Sequence, residues 1–175
     1  MGSGDRISSR LLLVRPAHEH EEGYRALLLG SEVSRWLRPS PLPPMLDPEP
    51  SLLLARDMSH WREHGFGPWA VLERRSGHFV GRGGLGYTTL EGRRVVEVAW
   101  AISPSSWGRG FASEVGSQAL GFANELELGD VVSFTTVGNL ASRRVMEKIG
   151  LRYAGEVQRA GLAHVLFRTG SPASS

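Results

Sequence analysis

A chain of 175 residues has the size of one ordinary domain and can bury a substantial core without disulfides or structural metals. Hydrophobic residues (41%) and charged residues (22%) are near globular averages, and the absence of cysteine excludes disulfides, thiolate zinc sites and cysteine nucleophiles. The formal net charge is only +2 and no basic run exceeds two residues, which argues against a nucleic-acid partner.

The N-terminal stretch lacks the apolar segment of a signal peptide, and no apolar run approaches the roughly 20 residues of a membrane span. We therefore expect a cytoplasmic protein without a membrane partner. Flexible tails are expected at 1–9 and 171–175, on either side of a single domain over 10–170.

The first half of the chain predicts one strand and two helices. A short apolar segment at 11–15 predicts the strand, and helical spacing predicts a helix over 18–30. Six of the ten prolines fall within residues 39–50, so 36–50 is expected to be a long irregular loop. Ser51 then suits the N-cap of a helix that ends at Gly65.

The second half predicts hairpins and two strand–helix units. Turn pairs at Ser76-Gly77 and Glu91-Gly92 predict antiparallel hairpins. From residue 111 the apolar period becomes helical. The expected elements are strands at 69–73, 79–90 and 93–102, a helix over 111–129, a strand at 130–137, a short helix capped by Asn139 and ended by Gly150, and a hairpin of strands at 153–158 and 162–169.

Residues 81–86 read Gly-Arg-Gly-Gly-Leu-Gly and match the dinucleotide fingerprint G-x-G-x-x-G. That fingerprint works only where its last glycine opens a helix. The residues that follow are β-like, so a glycine-rich strand is the favoured interpretation.

Residues 60–64 read His-Trp-Arg-Glu-His and match H-x-x-E-H, which places two imidazoles one helical turn apart in some zinc enzymes. No third ligand is apparent nearby, and Gly65 ends the helix directly afterwards. Histidines at a helix C-terminus also suit the helix dipole, so no metal is expected.

A third motif, at 98–114, is a strand that enters a glycine-containing turn and then an amphipathic helix. Free N–H groups of residues 107–113 would converge at the positive end of the helix dipole, which is the arrangement of a phosphate cradle. Gly108 and Gly110 would let the backbone approach an oxyanion, and Arg109 could add a positive charge. An ordinary tight strand–helix turn is the alternative.

Together with the strand–helix unit at 132–153, this segment resembles the GNAT acetyltransferases, particularly the RimJ/RimL type that acetylates ribosomal-protein N-termini. The resemblance covers residues 11–169 and is most specific over 97–153. The phosphate loop of the superfamily is usually written Q/R-x-x-G-x-G/A, and Ser105 departs from its first position. That departure removes a side-chain contact but leaves the backbone cradle.

The resemblance implies an α/β GNAT fold with four helices. Its mixed, mostly antiparallel sheet of six to seven strands would splay between the fourth and fifth strands, at 95–102 and 131–137. Acetyl-CoA would lie in that gap, and its pantetheine arm would pair with the opened strand edge. The implied cofactor-binding residues are Ile102, Ser103, Trp107, Gly108, Arg109, Gly110, Phe111, Ala112, Ser113, Asn139 and Ser142.

Acetyl transfer to an amine needs a neutral amine, a stabilised oxyanion and a proton for the departing thiolate. Glu97 interrupts an apolar strand, where a carboxylate facing a dry core would be costly, so it should face a wet cleft and can act as the base. An ion pair with an arginine is the alternative. The resemblance implies that Ser142 lies near the sulfur as proton donor, and a backbone N–H near Ile102 is the expected oxyanion partner.

The acceptor is expected to be a primary amine on a peptide N-terminus or a small molecule. The resemblance places the acceptor pocket near 36–64, where Trp36, Trp69 and Tyr87 could line it or could instead be core residues. It also implies that the chain can form a homodimer. A catalytically silent acyl-CoA-binding module is the alternative function.

Overall fold

The computed structural model describes residues 4–170, which form eight strands and five α-helices. The expected ends of the two tails, 1–3 and 171–175, lie outside the described residues. In chain order the elements are β1 (Arg6–Ile7), β2 (Leu11–Val14), α1 (Glu21–Leu29), α2 (Ser31–Leu37), α3 (Glu49–His64), β3 (Pro68–Glu73), β4 (Phe79–Leu90), β5 (Arg93–Ile102), α4 (Phe111–Glu125), β6 (Val131–Thr136), α5 (Leu140–Lys148), β7 (Arg152–Arg159) and β8 (Leu162–Arg168).

The strands form one sheet in the order β1-β2-β3-β4-β5-β6-β8-β7. Every neighbouring pair is antiparallel except β5 and β6, which are parallel and are paired only at Val96–Val131 and Glu97–Val132. Beyond these two positions the strands part. The expected mixed sheet, with its splay between the fourth and fifth long strands, is therefore confirmed.

Two elements were missed because both are short. Residues 6–7, expected in the N-terminal tail, pair with Leu12 and Leu13 and add an eighth strand. Residues 31–37 form a fifth helix, α2, where the loop was expected to begin at 36. A helix of seven residues is marginal on its own, so it depends on tertiary packing, here through buried Val33.

Two helix ends also differ from expectation. Ser51 is not an N-cap: α3 begins at Glu49, and Pro50 occupies its first turn, where a missing N–H costs nothing. The Ser51 hydroxyl instead donates to Glu21 (2.6 Å). At the other end of the sheet, α4 stops at Glu125, four residues before Gly129.

Alternate residues of β5 face two different hydrophobic clusters. Val96 and Val98 belong to the larger cluster, which packs under α4, and Trp100 packs against it. Ala101 belongs to the smaller cluster, which packs under α1 and α3. We call these two sides the α4 face and the α1 face. None of the helices within residues 4–170 is both long and apolar enough to span a bilayer.

Candidate active site

The start of α4 presents a row of backbone N–H groups that have no acceptor in the described part of the chain. Gly108 and Gly110 adopt left-handed conformations (φ +75° and +79°), and Gly110 is the N-cap residue. No acceptor within residues 4–170 takes the N–H groups of 108–113. This geometry suits the anion cradle that the sequence predicts, because the positive end of a 15-residue helix and its unpaired donors point to one place.

The parting of β5 from β6 leaves backbone groups of β5 that point into the gap. The carbonyl of Val98 accepts the hydroxyl of Ser133 (2.8 Å), and the carbonyl of Ile102 accepts the indole N–H of Trp107 (2.7 Å). Both carbonyls therefore point away from β4. Because backbone groups of alternate strand residues point to the same side, the N–H and C=O of Trp100 also face the gap.

A cavity of about 700 Å³ runs from the start of α4 through this gap to the α1 face. It brings together many of the residues selected from the sequence. Those that line it are Trp36, Glu97, Ile102, Trp107, Gly108, Gly110, Phe111, Ala112, Ser113, Asn139 and Ser142.

Glu97 lies on the α1 face, between the apolar residues Val96 and Val98 of the opposite face, and lines the cavity. No basic side chain within residues 4–170 lies at ion-pairing distance from its carboxylate. Burial raises the pKa of Glu97 to about 7, although the positive charges of Arg159, Arg82 and Arg56 oppose the rise. The carboxyl group can therefore exchange a proton near neutral pH.

Asn139 and Ser142 form the cap of α5 beside the cavity. The side-chain oxygen of Asn139 accepts the backbone N–H of Ser142 (3.2 Å), as expected for a helix cap. Ser142 lines the cavity, and its hydroxyl has no hydrogen-bond partner within the described chain. It is thus free to bond a molecule in the cavity.

Trp69 and Tyr87 do not line the cavity, which favours the alternative expectation that they are core residues. Cross-strand register places Trp69 beside Gly83 and Tyr87 beside Val96, on the α4 face, whereas Glu97 projects to the α1 face. Trp69 is fully buried, and its indole donates to the Gly4 carbonyl (2.9 Å). Tyr87 packs against aromatic side chains of the α3 end.

Arg109 and Ser103 are also absent from the cavity lining. The guanidinium of Arg109 forms an ion pair with Glu73 and lies over the ring of Phe111, so its charge already has a protein partner. The backbone N–H of Ser103 is taken by the Val80 carbonyl (2.8 Å). Neither partner could be deduced from sequence, because each comes from a distant segment.

The two competing motifs are accounted for by the fold. Residues 81–86 lie wholly within strand β4, so the dinucleotide interpretation does not apply. The His60 ring bonds backbone groups through both nitrogens, with Nδ1 donating to Phe66 (2.7 Å) and Nε2 accepting from Tyr87 (2.9 Å). His60 therefore has no nitrogen left for a metal, and burial lowers its pKa.

Several polar residues around the cavity were missed. Arg144 and Lys148, one turn apart on α5, line it on one side, and Arg159 and His164 line it on the α1 face. Single polar residues in amphipathic segments carry no signal in one sequence.

A buried cluster of polar side chains, also missed, lies beneath α1. Asp57 accepts hydrogen bonds from the guanidinium of Arg82 through both carboxylate oxygens (2.8 and 2.9 Å) and from the hydroxyl of Tyr24 (2.9 Å).

A splayed α/β sheet, unpaired N–H groups at a helix start and a cavity through the gap are together suited to binding a phosphate-bearing ligand across the sheet. Residues 10–152 match the family model described as "Acetyltransferase (GNAT) domain". The match covers most of the chain. The chain therefore belongs to the GNAT acetyltransferase family.

Two curated relatives share about 30% identity with the chain. YkkB of Bacillus subtilis is 31% identical over 110 residues, which are 59% of this chain and 64% of that protein. The FsC-acetyl coenzyme A-N(2)-transacetylase of Aspergillus fumigatus is 30% identical over 159 residues, which are 83% of this chain and 64% of that protein. The chain thus spans 64% of the length of each of these relatives.

Solved structures show the same fold at lower identity. An acetyltransferase from Agrobacterium tumefaciens superposes with a TM-score of 0.83 at 22% identity, covering 98% of this chain and 96% of that one. RimL, a ribosomal L7/L12 alpha-N-protein acetyltransferase in complex with coenzyme A, superposes with a TM-score of 0.72 at 16% identity, covering 93% and 95%.

Proposed function

We propose that the protein is an acetyl-CoA-dependent N-acetyltransferase that acts on primary amines, by direct attack of the amine while both substrates are bound. One observation carries the proposal. The unpaired N–H groups of 108–113 open into a cavity that continues through the sheet to the Glu97 carboxyl group. A phosphate-bearing donor and an amine can therefore enter from opposite faces of the sheet and meet in the gap.

The residues present suit coenzyme A. Within residues 4–170 no side chain accepts from the N–H groups of the cradle at 108–113, and Arg144 and Lys148 add positive charge to the lining of the same cavity. The N–H and C=O of Trp100 offer an open strand edge to the peptide-like pantetheine arm. When bound, acetyl-CoA would supply the acetyl group as a reactive thioester.

Glu97 is proposed as the base. An amine with a pKa near 10.4 is neutral only about once in 2,500 molecules at pH 7, so a proton acceptor beside it matters. A carboxyl group whose pKa is raised to about 7 by burial can take that proton directly or through a water molecule and release it at neutral pH. The structure shows no ion pair within residues 4–170 that would neutralise this carboxylate.

We propose that Ser142 stabilises the departing thiolate and that the β5 backbone stabilises the developing oxyanion. The Ser142 hydroxyl has no hydrogen-bond partner within residues 4–170, and Ser142 lines the cavity in which the thiol end of the donor is expected. It can hydrogen-bond or relay a proton to a departing thiolate. Backbone N–H groups at the open edge near Ile102 can stabilise a developing oxyanion.

The test combines a binding assay with a turnover assay. Coenzyme A should raise the melting temperature of the purified protein, and a panel of amines should release free thiol from acetyl-CoA. Stabilisation without thiol release from any amine would favour the alternative, a silent acyl-CoA-binding module. Absence of both effects would overturn the proposal.

Two finer assignments belong to the same proposal. The similarity of the fold to RimL supports a RimJ/RimL-like branch, in which a peptide N-terminus is the acceptor. The name of the Aspergillus relative instead points to acetylation at an N2 position of a small molecule. Comparing peptide N-termini with small amines in the thiol-release assay separates these two acceptors, and gel filtration tests the proposed homodimer.

A further inference from the structure

The α1 side of the cavity has an asymmetric charge lining. Within residues 4–170, Glu97 is the one acidic side chain that lines the main cavity, and the adjoining pocket of about 420 Å³ has none. The two spaces share Leu37, Arg159 and His164 as lining residues. The wall between them is thus basic, while the far wall carries a single carboxyl group.

Arg159 is held rigidly in this wall. Its guanidinium donates to the Thr89 carbonyl (2.9 Å) and the Thr88 hydroxyl (3.3 Å), and it lies 3.7 Å from the centre of the Phe134 ring. These contacts fix the plane of the group and use two of its five N–H donors. No carboxylate within residues 4–170 lies at ion-pairing distance from Arg159.

A rigid, half-buried guanidinium without an acidic partner is a ready-made carboxylate site. The planar fork matches both oxygens of a carboxylate, and its fixed position lowers the entropy lost on binding. The contact with Phe134 stabilises the charge, but it leaves the remaining three N–H donors at the edge of the guanidinium without a partner within residues 4–170.

Cross-strand register also places Arg159 and Glu97 on the same face of the sheet. Phe134 lies beside Val132 along β6, and Val132 is paired with Glu97. Glu97, Val132 and the Phe134 ring beneath Arg159 therefore form a row of side chains on one face of the sheet. An acceptor could place an amine at one end of this row and an anionic group at the other.

We propose that the natural acceptor carries a carboxylate a few bonds from its primary amine, and that Arg159 binds this carboxylate while Glu97 faces the amine. The inference rests on the proposed acetyl transfer and names the class of its acceptor. The carboxylate can belong to a free amino acid or to an acidic residue near a peptide N-terminus, because the adjoining pocket leaves room beyond Arg159.

The test uses matched amines. A ladder of ω-amino acids of increasing length is compared with the corresponding carboxamides, at equal concentrations of neutral amine. One ladder member should show a kcat/KM about 10- to 100-fold higher than its carboxamide, as expected for charge-assisted hydrogen bonds. The second part of the experiment compares short peptides that carry Asp or Asn as the second or third residue. It distinguishes an acidic residue near a peptide N-terminus from a free amino acid as the source of the carboxylate.

Variants of Arg159 test whether this residue causes the preference for carboxylates over carboxamides. In Arg159→Gln the ratio of kcat/KM for carboxylate over carboxamide should fall toward one, and in Arg159→Lys part of it should remain. Arg152→Gln, on the same strand but exposed and outside both pockets, should keep the wild-type ratio. The comparison of ω-amino acids with their carboxamides on the wild-type protein remains informative even if an Arg159 variant folds poorly.

Equal kcat/KM values for carboxylates and carboxamides throughout both parts of the experiment would overturn the inference while thiol release itself upheld acetyl transfer. If no amine is acetylated, calorimetric binding of the same ladder to the protein–CoA complex decides the matter. Tighter binding of carboxylates that is lost in Arg159→Gln supports the inference, and equal binding overturns it.

Discussion

The hydroxyl of Ser133 donates a hydrogen bond to the carbonyl of Val98 (2.8 Å) across the point where two parallel strands separate. Both residues are buried, so the carbonyl has no access to bulk water. A side chain thus replaces the lost backbone partner at the closed end of the gap. This bond lets the sheet open without leaving a buried polar group unpaired.

Ser133→Ala should therefore destabilise the fold by about 1–3 kcal/mol, because it leaves a buried acceptor unsatisfied. Urea unfolding at pH 7 measures the change. Ser117→Ala, on an exposed position of α4, is the matched control and should change the free energy of unfolding by less than about 0.5 kcal/mol. Equal stabilities of the two variants would show that the bond contributes nothing.

Glu97→Gln should lower the rate of acetyl transfer by about 10²–10⁴-fold if Glu97 is the base. The wild-type rate should rise with pH through an apparent pKa near 7, because burial raises the pKa of Glu97 to about 7 and only the carboxylate accepts a proton. The variant should lose this limb of the pH–rate profile. An unchanged profile would reject the role.

The same carboxyl group should make stability depend on pH. Because its pKa is higher in the folded than in the unfolded state, the unfolded chain loses its proton first as the pH rises. The wild type should thus lose up to about 3 kcal/mol of stability between pH 4.5 and 7. Melting temperatures of wild type and Glu97→Gln across this range check it, and the variant should be relatively more stable above pH 7.

Gly108→Ala should weaken coenzyme A binding by about tenfold, because the added methyl group enters the cradle. Its left-handed backbone (φ +75°) should also cost about 1 kcal/mol of stability. Gly92→Ala, in the β4–β5 turn, has the same φ and equally open surroundings, so it should match the stability loss. Binding titrations should separate the two, and equal coenzyme A affinities would argue against the cradle.

Asp57→Ala should destabilise the protein by about 3–5 kcal/mol, because it leaves the buried guanidinium of Arg82 without its partner. Tyr24→Phe removes one hydrogen bond to the same carboxylate and should cost about 1–2 kcal/mol. Denaturant unfolding of both variants checks the order. A smaller loss in Asp57→Ala than in Tyr24→Phe would contradict the assignment of this pair.

Local patterns predicted most of the elements because they depend on neighbours in the chain. The αL positions at Gly65 and Gly150 and the Asn139 cap follow from backbone chemistry within one turn, and all are present. The helix α2 and the strand β1 were missed because such short elements are stabilised by distant contacts, which a local pattern does not contain.

The candidate site divides in the same way. The cradle at 108–113 is built from consecutive backbone groups, so the positions of its glycines could be predicted from the sequence. The positions of side chains were not predictable in this way. Trp69 is buried in the core because cross-strand register decides which face a strand residue takes. Arg109, between β5 and α4, pairs with Glu73 because the fold brings two distant segments together.

The sequence by itself determined the strand–turn–helix unit, the carboxyl group at position 97 and the membership of the family that those residues imply. Only the tertiary structure decided that Glu97 and Arg159 share one face of the sheet, that α2 covers the cavity there through Trp36, and that Ser133 seals the end of the gap. The physical reason is that these relationships join strands far apart in the chain, and their geometry is set by cross-strand register.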